Sequence, residues 1–454
     1  MQKWIKIASV LALAFTVVPG IISAQEAPAQ FKDGQTTVFY GDSITHGGWY
    51  QYYVQLFYAT RFPDRKIKIE NAGVSGASAA GSLPRLDNDV LFRKPDLVYI
   101  MFGMNDFGRG NYKTAQADEK TMAAREGSLK TYKTSMDKTI KKIKASGVTP
   151  VIMTPTPYNQ YGQSIKTENF TAANDGLTKC AEIVKALAVE NKCPIVDLHA
   201  PITALLVKDS ELDFSRDDRV HPNKIGHMIM AYYILQAQKV PTLVAKTVID
   251  YTKKSIEGAE NCSVENLEAK DASVKFTYTP KALPFPVSDE YSKANEAVPW
   301  DSLNQEIIQV KNLPAGDYRL LADRKEVGRF SAAQFAEGVN MASLATPQQA
   351  KSVQLKNAVT TKANVDRSLR GLVQVNCILW NGKIDPADVV ASDKYLDEWL
   401  GKVSEQYKKY YTNVIKSYRK NRDKLSSLMK GAADAQEEIF KRQKTEPCVI
   451  EIVK

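Results

Sequence analysis

Between Gln35 and about Ile249 short strand-like runs alternate with longer helix-like ones, and this alternation limits the fold more than any other feature. Thr37-Val38-Phe39-Tyr40 reads as an apolar strand, followed by a turn and an aromatic-rich helix over 49–62. Ile67 and Ile69 alternate with charged residues over 66–70, the period of a half-buried strand. Residues 97–102, after Pro95, form a continuous apolar run that suits a strand buried on both faces. Leu129, Met136, Ile140 and Ile143 then mark one stripe along a charged helix over 118–146. A strand over 148–153, a helix over 172–191, a short strand at Ile195-Val196 and a last helix over 223–249 complete the series. Strands alternating with helices imply βαβ units and a parallel sheet with helices on both faces. The expectation is a three-layer α/β/α, flavodoxin-like domain over 31–250.

Beyond Tyr251 the pattern changes. Residues 273–278, 305–310 and 316–330 alternate apolar and polar side chains, with a Leu-Pro-Ala-Gly-Asp turn at 313–317. They read as antiparallel strands of a small β domain over 251–345. Residues 346–445 are helical in pattern, and Cys448-Val449-Ile450-Glu451-Ile452-Val453, within 446–454, reads as one more strand. A strand after the helices makes the helical segment an insertion or cap, with the last strand returning to the β sheet.

Lys3 and Lys6, the apolar run 7–18, the Pro19-Gly20 break and Ser23-Ala24 have the layout of a signal peptide over 1–24, cut ahead of Gln25. Export to the periplasm or beyond follows as an expectation. No later segment reads as long and apolar enough to span a membrane. The net charge of +10 is a modest basic excess that identifies no partner. Five cysteines (Cys180, Cys193, Cys262, Cys377, Cys448) leave at least one thiol unpaired; Cys262 and Cys448 sit in strand-like segments that could meet, and five packed thiols fit equally well.

Four short segments carry the chemistry. Gly41-Asp42-Ser43-Ile44-Thr45 follows the first strand, where a serine projects its hydroxyl above the carboxyl edge of the sheet. Asn71-Ala72-Gly73-Val74-Ser75-Gly76 follows the second strand, and glycine there lets a backbone N–H approach a ligand closely. Gly103-Met104-Asn105-Asp106 follows the third; the Asn105 amide can donate to an oxyanion. Asp218-Arg219-Val220-His221-Pro222 precedes the last helix, and its three-residue spacing places a carboxylate beside an imidazole, as a general base requires. Each motif alone reads as an ordinary turn. Together, in this order, they converge on one edge of one domain.

This set resembles the four motif blocks of the SGNH hydrolase superfamily, the GDSL lipases and esterases, over about residues 36–248. The resemblance implies that Ser43 attacks an ester carbonyl, His221 takes its proton and Asp218 orients His221. It also implies an oxyanion hole made of the Ser43 and Gly73 backbone N–H groups and the Asn105 side chain. The expected activity is exported short-chain ester hydrolysis, of O-acetyl groups on a carbohydrate; a lipase on the same machinery and a non-catalytic carbohydrate-binding protein are the alternatives. No cofactor and no metal are called for, since the four histidines are scattered and no HExxH, CxxC or phosphate-cradling loop is present. His46 and Trp49 are candidate substrate contacts beside Ser43, with Tyr50, Tyr52 and Tyr53 divided between pocket and core. Residues 401–430 read as one basic amphipathic helix, a packed helix or a dock for an anionic polymer. Export argues against nucleic acid.

Overall fold

The structure, a computed structural model, describes residues 26–454, so the expected signal peptide at 1–24 lies outside the described residues. Strands β1 (Thr36–Gly41), β2 (Lys68–Gly73), β3 (Leu97–Met101), β4 (Thr149–Met153) and β5 (Ile195–Val196) form a parallel sheet in the order β2-β1-β3-β4-β5. Helices α1 (Ser43–Gly47), α2 (Trp49–Arg61), α3 (Ala79–Ser82), α4 (Glu119–Ala145), α5 (Ala173–Asn191), α6 (His199–Lys208) and α7 (Lys224–Ala237) connect and flank it. α2 packs against α7 and α4 against α5, and almost every residue of β1 and β3 is buried, as strands covered on both faces require. The chain order reverses direction between β1 and β3, which puts the sheet's switch point at the carboxyl end of β1.

The last helix of this unit is shorter than its sequence pattern implies. It ends at Ala237, and after Pro241 the chain forms strand β6 (Leu243–Asp250). The expected division after residue 250 therefore moves ahead of Leu243. Thr247, Val248 and Ile249 are β-branched, and in place of a helix they pair with β10 (Gln305–Lys311) and β7 (Ser255–Glu260) in a four-stranded sheet, order β13-β10-β6-β7, where β13 is Val339–Asn340. A second sheet has the order β12-β11-β14-β9-β8, from β8 (Cys262–Lys270), β9 (Ser273–Pro280), β11 (Asp317–Ala322), β12 (Lys325–Ser331) and β14 (Cys448–Val453). The two sheets share one apolar core, with Phe276, Tyr278, Ile308, Leu320 and Ile450 at its centre. All five cysteines are free and buried.

Between β13 and β14 the chain inserts α10 (Pro347–Asn381), α11 (Val389–Gly401), α12 (Glu405–Asn421) and α13 (Leu425–Arg442), after the short α8 (Asp289–Ala297) and α9 (Ala332–Glu337). The insertion is not a detached cap: Leu355 and Val359 of α10 and Ile439 of α13 are buried in the same core as the parallel sheet. Lys362 donates to the Ile69 carbonyl at 2.8 Å and ion-pairs Asp366 at 2.7 Å, fastening α10 to β2. The basic stretch 401–430 is two helices, broken by a tight turn at Arg422–Lys424, and two of its arginines are committed: Arg419 and Arg422 both bind Asp393. Among the described residues no helix is long and apolar enough to cross a membrane.

Candidate active site

Ser43 opens α1 directly after β1, and Asp42 caps that helix by accepting the Ile44 N–H at 2.9 Å. The serine hydroxyl lies 2.7 Å from His221 Nε2, and His221 Nδ1 lies 2.6 Å from Asp218 Oδ2. Asp218 Oδ1 accepts the backbone N–H groups of Val220 and His221 at 3.0 and 2.9 Å, so the acid is oriented by the loop that carries the base. Burial pushes the Asp218 carboxyl up, but the His221 ring and these N–H groups outweigh it and hold the pKa down at about 2. An ionised Asp218 fixes the Nδ1–H tautomer and leaves Nε2 free to accept the serine proton.

Arg219, between acid and base, has φ 62°, an uncommon conformation for a side chain of its size. Its buried guanidinium donates to the carbonyls of Asn159, Gly162, Ile165 and Thr167 at 2.5–3.2 Å. These bonds fasten the 159–167 loop beneath the Asp218–His221 turn. Nothing in the sequence separates a buried arginine from an exposed one, so the only signal was its position in the motif.

The expected oxyanion donors fare differently. Asn105 is exposed on the loop after β3, where Nδ2 donates to the Ala77 carbonyl at 3.0 Å, leaving its second N–H. Asp106 ties the same two loops together, accepting from Ala79 N and Gly103 N at 2.8 and 2.9 Å. Gly73 is not on a loop but ends β2, and its N–H already donates to Asn71 Oδ1 at 2.8 Å. A Cβ there would lie 2.0 Å from the His46 backbone nitrogen, so glycine at 73 serves the close approach of α1 to β2. The next glycine fits the donor role: Val74–Ala77 is a turn closed by Ala77 N–H to Val74 O at 3.1 Å, with Gly76 at φ +76° in its third position. Among the described residues the N–H groups of Ser43 and Gly76 meet no acceptor.

His46 and Trp49, the candidate substrate contacts, each have partners within the fold. The Ser75 N–H donates to His46 Nδ1 at 3.2 Å, so a neutral His46 carries its proton on Nε2. Burial, aided by Arg370 and Arg85, lowers its pKa to about 3, which keeps the ring neutral. Trp49 is half-buried, with Arg367 and Lys224 at 4.4 and 4.9 Å from its ring centre. Tyr50, Tyr52 and Tyr53 are buried in the core. Among the described residues no group of three or more His, Cys, Asp or Glu side chains is placed to hold a metal.

Asp42 gives this edge a pH-dependent stability. Burial raises its carboxyl from 3.8 to about 6, against the opposing bonds from Ile44 N–H and the field of His221. The folded protein thus holds the proton more tightly than the unfolded chain, and stability falls as pH rises from about 4 to about 6, then levels. Asp42→Asn keeps the acceptor for Ile44 and removes the titration. Denaturant unfolding at pH 4 to 7 is expected to show the variant gaining on the native protein across that window; a constant difference would contradict the assignment.

Comparison with known proteins agrees with this chemistry. Residues 39–229 match the model of the GDSL-like lipase/acylhydrolase family. An acetylxylan esterase of Geobacillus stearothermophilus is 28% identical over 221 residues, spanning 45% of this chain and 93% of that protein. The solved structure of a gut microbial diltiazem-metabolizing enzyme superposes with a TM-score of 0.84 at 27% identity, covering 95% of this chain and 100% of that one. The similarity to that enzyme therefore includes the β sheets and the helical insertion. With a parallel sheet, the four motif blocks in order and a serine–histidine–aspartate chain at the sheet's carboxyl edge, residues 39–229 form a GDSL-like lipase/acylhydrolase domain of the SGNH hydrolase superfamily, and the protein is a carboxylic-ester hydrolase.

Proposed function

We propose that this protein is an exported short-chain esterase that removes O-acetyl groups from a carbohydrate through an acyl-enzyme on Ser43. The observation that carries the mechanism is the continuous hydrogen-bond chain from Ser43 Oγ through His221 to Asp218. His221 Nε2 takes the hydroxyl proton as Ser43 attacks the ester carbonyl, then returns it to the leaving alcohol. Water, activated by the same nitrogen, releases the acid and restores the serine. The N–H groups of Ser43 and Gly76 and the Asn105 amide stabilise the oxyanion in both steps. The acetylxylan esterase similarity supports the acetyl–carbohydrate reading, and the residues 1–24 pattern supports export.

The test is hydrolysis of p-nitrophenyl acetate, butyrate and octanoate, beside an O-acetylated xylo-oligosaccharide. Turnover is expected to be fastest on acetate and to occur on the oligosaccharide. Preference for octanoate would replace this reading with a lipase, and no turnover on any ester would reject it.

A further inference from the structure

A cavity of about 480 Å³ lies between α10 and the α12–α13 pair, lined by His46, Ser75, Arg367, Gln374, Asn421 and Lys424 among others. It adjoins the catalytic edge on two sides. His46 is one helical turn beyond Ser43 on α1, and Ser75 precedes Gly76 in the turn that offers the free N–H. The insertion itself reaches this turn, since a Cβ on Gly76 would lie 3.3 Å from the Tyr411 hydroxyl. The volume suits a group far larger than acetyl, within the range of ligand clefts generally.

We infer that this cavity holds the alcohol part of the ester and selects an alcohol carrying an anionic group, a carboxylate or a sulfate. The inference rests on the esterase reading above. Its basis is the one-sided character of the lining, which includes two full positive charges and no carboxylate. Among the described residues the Lys424 ammonium bonds only the neutral Asn421, at 3.0 Å. The Arg367 guanidinium lies over Trp49 and donates from Nη2 to Asn364, while among the described residues its shielded Nη1 meets no acceptor. Asp366, the carboxylate whose field reaches Arg367, is engaged with Lys362. His46 adds a further donor, because the Ser75 N–H occupies Nδ1 and leaves Nε2–H at the cavity wall. Donors without acceptors complement an anion and repel a cation.

The experiment compares kcat/KM for a mono-O-acetylated methyl glucoside with its glucuronide, 6-sulfate and 6-amino counterparts, which differ only at C6. The glucuronide or the sulfate is expected to lead, the 6-amino sugar to be slowest, and added salt to narrow the spread. Lys424→Gln and Arg367→Gln, checked for unchanged melting, are each expected to reduce the anionic-to-neutral ratio roughly 10-fold, as loss of one charge-assisted bond would. Which of carboxylate and sulfate leads identifies the source of the charge. Equal rates on all four sugars, preference for the amine, or ratios unmoved in both variants would overturn the inference while leaving the esterase intact. Failure to cleave any ester would instead reject the reading on which it rests.

Discussion

His221→Ala is expected to lower kcat for p-nitrophenyl acetate by on the order of 10⁴–10⁶ without unfolding the protein. The size follows from the geometry. His221 Nε2, 2.7 Å from the Ser43 hydroxyl, is the group placed to accept its proton, and serine is a weak nucleophile without that transfer. The side chain is about one-third exposed, so its removal leaves no large cavity. Asp218→Asn is expected to cost roughly 10⁴, because an amide in place of the carboxylate favours the wrong imidazole tautomer. Asn105→Ala removes one of the three proposed oxyanion donors and is expected to cost roughly 10²–10³. The losses do not add: His221→Ala and the His221→Ala/Asp218→Asn double variant are expected to be about equally slow, since the two groups act as a unit. Steady-state kinetics alongside circular dichroism decides the matter. A His221→Ala enzyme retaining a tenth of native activity would exclude this chain as the catalytic machinery.

Arg370→Met is expected to give the largest loss of stability from a single change, about 3–5 kcal/mol. Arg370, on the insertion helix α10, is 1% exposed and binds the equally buried Asp89 through both guanidinium nitrogens, at 2.5 and 2.7 Å. Its Nε donates to the Gly73 carbonyl at 2.9 Å. Arg85 joins the same carboxylate and donates to the carbonyls of Ala72 and Gly41 at 2.8 and 3.0 Å. Burial alone would push the Asp89 carboxyl up; Arg370 and Arg85 hold it well below the usual carboxylate range. Truncating Arg370 strips the carboxylate of its best partner and the end of β2 of a donor, with no water to replace either. Arg419→Met, which breaks a pair one-third exposed at the surface, is expected to cost about 0–1 kcal/mol. Urea unfolding of both variants separates the cases. Similar small losses would mean that the network is not what fixes the insertion to the parallel sheet. Because the network ends on the carbonyls of Gly41 and Gly73, Arg370→Met is also expected to slow catalysis beyond what its melting temperature explains.

The parallel-sheet unit was legible because period and motif order both survive in one dimension. Each of the four blocks follows a strand or precedes a helix, and β14, a strand placed after the helices, pairs with β9 and β11. What escaped depends on facts that a linear pattern does not carry. Residues 243–250 suit a helical stripe as well as an alternating strand, and only the β-branched content and the preceding Pro241 favour the strand that forms. The break at Arg422–Lys424 was hidden because a tight helical turn keeps apolar side chains in phase across it. Gly73 and Gly76 stand in one motif, and which N–H is already bonded is settled by the fold around Asn71 and His46. Burial of Arg219, Arg370 and Asp89 is set by packing between distant segments, and charged residues are exposed in most settings.

The position of β14 has a consequence for how the helical insertion is held. Until β14 slots between β11 and β9, that sheet exists only as two separate hairpins, β11–β12 and β8–β9, each marginal alone in water. The strand that joins them is reached only after α10 to α13, so this sheet is completed by residues more than 100 positions beyond β12. Once closed, the insertion is anchored through β13 at its entry and β14 at its exit, each in a different sheet of the same core. A segment held at both ends has no single hinge about which to swing.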